Sequence, residues 1–175
     1  MKVLKDIFKS FNKENINIFI RSFIDPSVYI QASNKTKEDL KSYLYFTICI
    51  IFFMNYLLKI GNVNINTNVT LELIFEVIIN FLLAFLFIPI FIWINSLFIY
   101  WVKNKNINRY TFEQIENMTM VSTLARFLVT NFIIRIFNIN NMGIFTSLAI
   151  FLVMYIGFLN IMIMMYHKNN RIEEL

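Results

Sequence analysis

Glycine, proline, cysteine and histidine are almost missing from this chain: three, two, one and one among 175 residues. Each scarcity closes off a class of chemistry. Gly61, Gly143 and Gly157 stand far apart, so no glycine-rich loop can cradle a phosphate, and neither G-x-x-x-x-G-K-[ST], H-E-x-x-H nor G-x-S-x-G occurs. A lone Cys49 inside an apolar run cannot form an internal disulfide. With His167 as the one histidine there is no Cys/His metal constellation, so neither a metal nor another cofactor is expected. No Asp follows Asp39, which removes the paired aspartates that intramembrane hydrolysis would need. The chain is therefore not expected to be an enzyme. Charge is also sparse, at 15% of residues, where a soluble domain carries about a quarter.

What is abundant is apolar: 58% of residues, 20 of them Phe, gathered in long blocks. That combination defines the membrane class. Four blocks are expected to span. The first is Ser42–Leu58, "SYLYFTICIIFFMNYLL", about 26 Å as a helix, with Tyr43, Tyr45 and Tyr56 near its ends, where amphipathic rings favour the interface. The second, Leu71–Val102, would be roughly 48 Å long, more than a ~30 Å hydrocarbon core requires. It must tilt, kink or project, and Pro89 is the expected kink, because it lacks an N–H and crowds the carbonyl of Phe85. A re-entrant hairpin turning at Pro89 is the alternative. "TFEQ", Thr111–Gln114, has the form of a capping box and predicts the start of a helix that runs into the third span, 118–137. The fourth span is 144–166.

Charge placement gives the topology. Eight of the 16 Lys and Arg precede the first span, Lys59 alone follows it, and Lys103, Lys105 and Arg109 follow the second. None lies between the third and fourth, and two follow the fourth. The positive-inside rule then makes both termini cytoplasmic. The expected organisation is a cytoplasmic or interfacial segment over 1–41, a four-span all-α membrane domain over 42–166, and a cytoplasmic tail over 167–175. The expected location is the cell membrane, multi-pass, of the bacterial inner-membrane kind. Nucleic acid is not an expected partner, because the basic residues flank the spans.

The N-terminal stretch "KVLKDIFKSFNKENINIFI" sets Val3, Leu4, Ile7, Phe8 and Phe11 at helical spacing, with Lys2, Lys5, Lys9 and Lys13 between them. Such a helix can lie on an anionic bilayer surface or pack on the protein's own membrane domain. Asp25-Pro26 predicts its end.

Polar residues inside the spans are the candidate functional positions. Thr119, Thr123, Arg126 and Thr130 are spaced four, three and four apart, hence on one face of the third span, which should turn inward. Arg126 falls near mid-bilayer, level with Pro89, where the Phe85 carbonyl could accept its hydrogen bond. Glu76 and Asn80 share a face of the second span, and depth matching pairs Glu76 with Arg135. Asn55 and Asn131 lie at similar levels, and Asn95 and Asn160 lie lower. Two readings stay open: these residues line a polar pathway or bind an anionic group, or they are interhelical hydrogen bonds worth about 0.6 kcal/mol each. His167, just past the fourth span at a helix C-terminus, reads as an interfacial residue.

"FIDPSVYIQ" before the first span, then a long span, a basic loop and "YTFEQIENMTMVSTLARFL", resembles the order found in small bacterial membrane proteins of the Yip1-domain type, over about residues 20–166. The family's fifth span and its glycine-and-tyrosine motif have no counterpart here. The resemblance implies a non-enzymatic role in trafficking or membrane organisation and assigns no functional residue. The expected function is thus a non-catalytic membrane scaffold or accessory protein. Its partners would be the lipid bilayer and other membrane proteins or further copies of itself. Immunity proteins against pore-forming toxins belong to the same broad class. A small transporter or channel is the alternative.

Overall fold

Asn12 ends one helix and begins the next. Its Oδ1 accepts the N–H of Asn15 at 2.8 Å, capping the second helix, while its Nδ2 donates to the Lys9 carbonyl at 3.0 Å, closing the first. Ser10 Oγ donates to the Ile7 carbonyl and Asn15 Nδ2 to the Ser10 carbonyl, so three carbonyls of the first helix's last turns receive side-chain donors. The amphipathic run expected as one helix is therefore two. The computed structural model describes residues 2–60, 71–102, 108–136 and 157–167, with side chains over 4–54, 75–102, 108–133 and 157–167.

The helices are α1 (Lys2–Ser10), α2 (Lys13–Ile24), α3 (Ser27–Ser33), α4 (Lys37–Ile60), α5 (Leu71–Val102), α6 (Phe112–Ile136) and α7 (157–167). No strand occurs among the described residues. α5 has the bounds expected of the second span and passes through Pro89 without ending, so the re-entrant alternative at Pro89 is excluded. α2 stops at Asp25, as the following proline requires. α6 begins where the capping box predicts. The Thr111 N–H donates to Gln114 Oε1 at 2.8 Å, and Thr111 Oγ1 accepts the Gln114 N–H at 3.3 Å. A second box opens α4, where Thr36 N–H and Oγ1 both donate to Asp39 Oδ2, at 3.0 and 2.8 Å, and the Asp39 N–H returns to Thr36 Oγ1.

Four helix ends meet at one end of the bundle. Lys37 at the start of α4 pairs with Glu116 at 2.7 Å, and Asn117 Nδ2 donates to the Lys35 carbonyl at 2.7 Å. Tyr100 near the end of α5 stacks edge-on against Phe112, and Tyr110 meets His167 at the end of α7. α4 and α6 thus start where α5 and α7 finish, and successive long helices run in alternating directions. At the same end α1 lies against α4, with Asp6, Lys9 and Asn12 beside Glu38, Lys41 and Ser42.

α6 is the axis of the fold. It touches α2, α3, α4 and α5, and Met118, Val121, Leu124 and Ala125 are buried along it. α5 meets the bundle through a narrow stripe, Ile92, Asn95, Ser96 and Ile99, at spacings of three or four that mark one helix face. Farther along, Phe81 and Phe85 stack on Phe52 and Tyr45 of α4. The rest of α5 is open and apolar, from Phe75 to Trp101. Among the described residues it is the one helix long and apolar enough, over Phe75–Val102, to cross a membrane, and only 6% of its most apolar stretch is buried.

Two outcomes test the helix starts. Thr111→Ala removes the α6 cap and is expected to lower stability by about 1 kcal/mol, read as a shifted urea midpoint in detergent micelles. At Asp39, the backbone and hydroxyl hydrogen bonds from Thr36 hold the carboxyl below its ordinary 3.8. The unfolded chain therefore binds that proton more tightly, and the stability contributed by Asp39 is lost as pH falls from 3.8 through the lower folded value. Asp39→Ala should remove that part of the acid-side loss in a circular dichroism titration.

Candidate functional site

Thr119, Ser122, Thr123, Arg126 and Thr130 form a buried polar face on α6, and Asn117 is buried on another side. Arg126 is 1% exposed and is the largest of the fully buried side chains. A guanidinium in such a place must hydrogen-bond to compensate for lost water. Its Nη2 donates to the Thr119 carbonyl at 3.0 Å, two turns back along its own helix. Ser122 Oγ and Thr123 Oγ1 donate to the same carbonyl, at 3.0 and 2.7 Å. Hydroxyls three or four residues past a carbonyl bond it readily in a helix, and here they collect with the arginine on one oxygen.

The walls come from the N-terminal helices and α4. Tyr29 of α3 is fully buried within electrostatic reach of Arg126, and its hydroxyl donates to the Ser22 carbonyl of α2. Tyr43 of α4, also buried, donates to the Val121 carbonyl of α6 at 3.1 Å. Ser22 and Thr47 complete the buried polar set there. Arg126 thus sits where α2, α3 and α6 converge beside α4.

The sequence candidates divide. Arg126 takes the inward place expected of it, and its described acceptor is the Thr119 carbonyl; the acceptor expected from depth matching was the Phe85 carbonyl. Asn95 is buried and donates to the Phe91 carbonyl at 2.7 Å, while Asn131 donates to the Phe127 carbonyl at 2.8 Å, each four residues back on its own helix. The Oδ1 atoms of Asn95, Asn117 and Asn160 are buried without a donor among the described residues. Asn131 also lines an open apolar cleft of about 630 Å³ with Phe23, Met54, Leu128 and Phe132. Glu76 and Asn80 are exposed on α5, apart from the Arg126 seam. The side chains of Asn55, Arg135 and Lys2 lie outside the described residues, and with them the Glu76–Arg135 pair. Lys5, Lys9 and Lys13 are exposed on α1 and α2.

Tyr29, Ser22 and Tyr43 are the participants that sequence reasoning missed. Tyr29 stood in "DPSVYIQ", just after the proline turn, and its position on the apolar side of a short helix was the available signal. His167 lies with its Nε2 3.2 Å from the Tyr110 hydroxyl, the rings stacked at 6.3 Å. Burial raises the Tyr110 phenol above its ordinary range. No group of His, Cys, Asp and Glu that could hold a metal exists among the described residues. Cys49 is buried within α4. The chemistry on offer is hydrogen bonding and packing.

No family model, curated protein or solved structure matches the chain.

The seam makes two unlike demands on stability. Tyr29→Phe and Tyr43→Phe each delete one buried hydroxyl whose acceptor is a main-chain carbonyl, and each should cost about 0.5–1.5 kcal/mol. Arg126→Ala empties a large closed site and is expected to cost about 2–5 kcal/mol, in the range of large-to-small core truncations. Unfolding midpoints in mixed micelles check the ordering.

Proposed function

We propose that this chain is a non-catalytic, multi-pass membrane protein that acts as a scaffold or accessory subunit for partner helices. The observation that carries the reading is α5: a continuous 32-residue helix whose apolar side chains, including Phe75, Leu82, Leu86, Phe87, Trp93 and Trp101, stay open around most of its circumference. Soluble monomers rarely expose contiguous apolar patches beyond a few hundred Å². A bilayer, or other apolar helices within one, is the natural cover for such a surface.

In this reading α4, α5, α6 and the fourth span, 144–166, cross in alternating directions. Lys35, Lys37, Lys41, Arg109 and the α1 lysines then gather at the cytoplasmic face of a bacterial inner membrane. α1 lies on that face. It buries Ile7 and Ser10 against α4, and it leaves Phe8 78% exposed with Leu4 and Phe11 also open. Lys5, Lys9 and Lys13 would meet anionic headgroups.

Scaffolding is favoured over transport because the described side-chain bonds of the candidate pathway residues run within their own helices. Arg126, Asn95 and Asn131 each donate to a carbonyl of their own helix, and Glu76 and Asn80 stand on another surface. This class of role is also what the Yip1-type resemblance implies.

Crosslinking before detergent extraction should recover a stoichiometric membrane partner or a second copy, with contacts through the open face of α5. Isolation as a lone monomer under all crosslinking conditions would overturn the scaffold. Ion or solute flux through vesicles holding the wild-type protein, abolished by Arg126→Leu, would replace it with the pathway reading.

A further inference from the structure

α2 and α3 do not lie across the end of the bundle but run along it. Three contacts give the course of α2. Asn15 Nδ2 donates to Ser42 Oγ at 2.9 Å, the ring of Phe19 meets that of Phe46, and Phe23 lines one cleft with Met54, Leu128 and Phe132. From Asn15 to Phe23 a helix rises about 12 Å. The chain turns at Asp25-Pro26 and returns beside α6. Tyr29 lies near Arg126, and Lys35 at the far end of the return accepts from Asn117. Glu14 and Lys35, at the two open ends of the excursion, pair at 3.5 Å.

We infer that α2 and α3 form a re-entrant helical hairpin that enters the bilayer from the cytoplasmic face, with Ile16, Ile20 and Ile24 turned to acyl chains and Asp25-Pro26 at its tip. The inference rests on the membrane reading above, which sets Ser42 near the interface and so puts Phe23 about 12 Å into a ~30 Å core.

The tip is built as that location demands. Non-helical backbone at membrane depth is tolerated only where its polar groups are satisfied. The Asp25 N–H donates to the Arg21 carbonyl at 2.7 Å, Ser27 N–H to Asp25 Oδ1 at 2.9 Å, Val28 N–H to the Asp25 carbonyl at 3.3 Å, and Tyr29 N–H to the Pro26 carbonyl at 3.2 Å. Pro26 has no N–H to satisfy. The two charges at the tip close on each other, with Arg21 Nε and Nη2 at 2.9 and 2.6 Å from Asp25 Oδ2. Charged groups at membrane depth pair in this way.

The outward stripe names the occupant. Ile16, Ile20 and Ile24 recur every fourth residue on one helix face, and Ile24, the deepest, is 77% exposed. On α4, about 3 Å farther in by helix rise, Phe53 is open as well. Lys13, the one lysine of α2, stands at its mouth, where phosphates lie; beyond it the one cation, Arg21, is paired with Asp25 and the open stripe is isoleucine. A bilayer has that same gradient.

The test uses the full chain with Cys49→Ala, carrying one cysteine at a time at Lys13, Ile20, Ile24, Phe53 or Leu86. Each is nitroxide-labelled in phosphatidylcholine–phosphatidylglycerol vesicles. Power saturation compares collision with oxygen, which concentrates in lipid, against collision with a water-soluble nickel chelate. Labels at 20, 24 and 53 should favour oxygen several-fold, with 24 deeper than 20 and slightly shallower than 53, and the label at 13 should favour nickel. All five replaced side chains are exposed, and circular dichroism confirms the helices in each variant. Nickel access at 20 and 24 with the α5 label at 86 still in lipid would overturn the hairpin alone. Nickel access at 86 would overturn the membrane reading itself. Protection of 20 and 24 from both reagents would mean that a protein surface covers the stripe, and would also overturn the proposal.

Discussion

Everything in the interior is arranged around a cation that has to be kept there. Arg126 cannot be buried without donating, and α6 supplies an acceptor from its own backbone. The Thr119 carbonyl takes the guanidinium together with two hydroxyls. Engaging part of the group within α6 lets neighbouring helices approach it with small, apolar or hydroxylated side chains. Thr119, Ser122 and Ala125 are short, and all three are fully buried. Small residues of this kind let helices come close where apolar transfer gives little drive for association. α6 accordingly touches more of the protein than any other described helix.

The two sides of α6 are covered very differently. On one, α3 and α2 seal the polar face with Tyr29, Val28 and Ala32, all buried. On the other, α5 gives up a stripe of four residues and keeps the rest of its surface. A long apolar helix fastened along a narrow seam is stable only if its remaining surface has an apolar surrounding. The aromatic contacts between α4 and α5, Phe52 with Phe81 and Tyr45 with Phe85, are edge-on or tilted. Such pairings of ring edges and faces are favoured over face-to-face sandwiches.

Much of the architecture was legible because its signals are local. The long, mainly apolar run from Leu71 to Val102 set the bounds of α5, and a capping box marks the first turn of α6 wherever that helix packs. Asp25-Pro26 ends a helix for steric reasons alone. What escaped depends on partners far away in sequence. The division at Asn12 was hidden because an asparagine can sit within a helix or cap one, and contacts such as Asn15 with Ser42 select between the two. The apolar face of the N-terminal segment was plain, but periodicity does not say whether protein or lipid will cover it. In fact Ile7, Asn15 and Ser22 face inward while Phe8, Ile20 and Ile24 remain open. For Arg126, matching depths across helices assumed a side chain extending sideways, whereas its described bond runs back along α6. Tyr29 was missed because a tyrosine in a short post-proline helix resembles any interfacial aromatic until its neighbours are known.

The antiparallel return of α3 along α6 carries a consequence for biosynthesis. Residues 13–33 are synthesised well before residues 117–126, which make the surface they seal, and two long helices are delivered in between. The hairpin cannot reach its seat while α6 is unmade, and it spends that interval with Tyr29 and Val28 uncovered. A part of the polypeptide made before α6 thus closes only after it, and the order of packing departs from the order of synthesis.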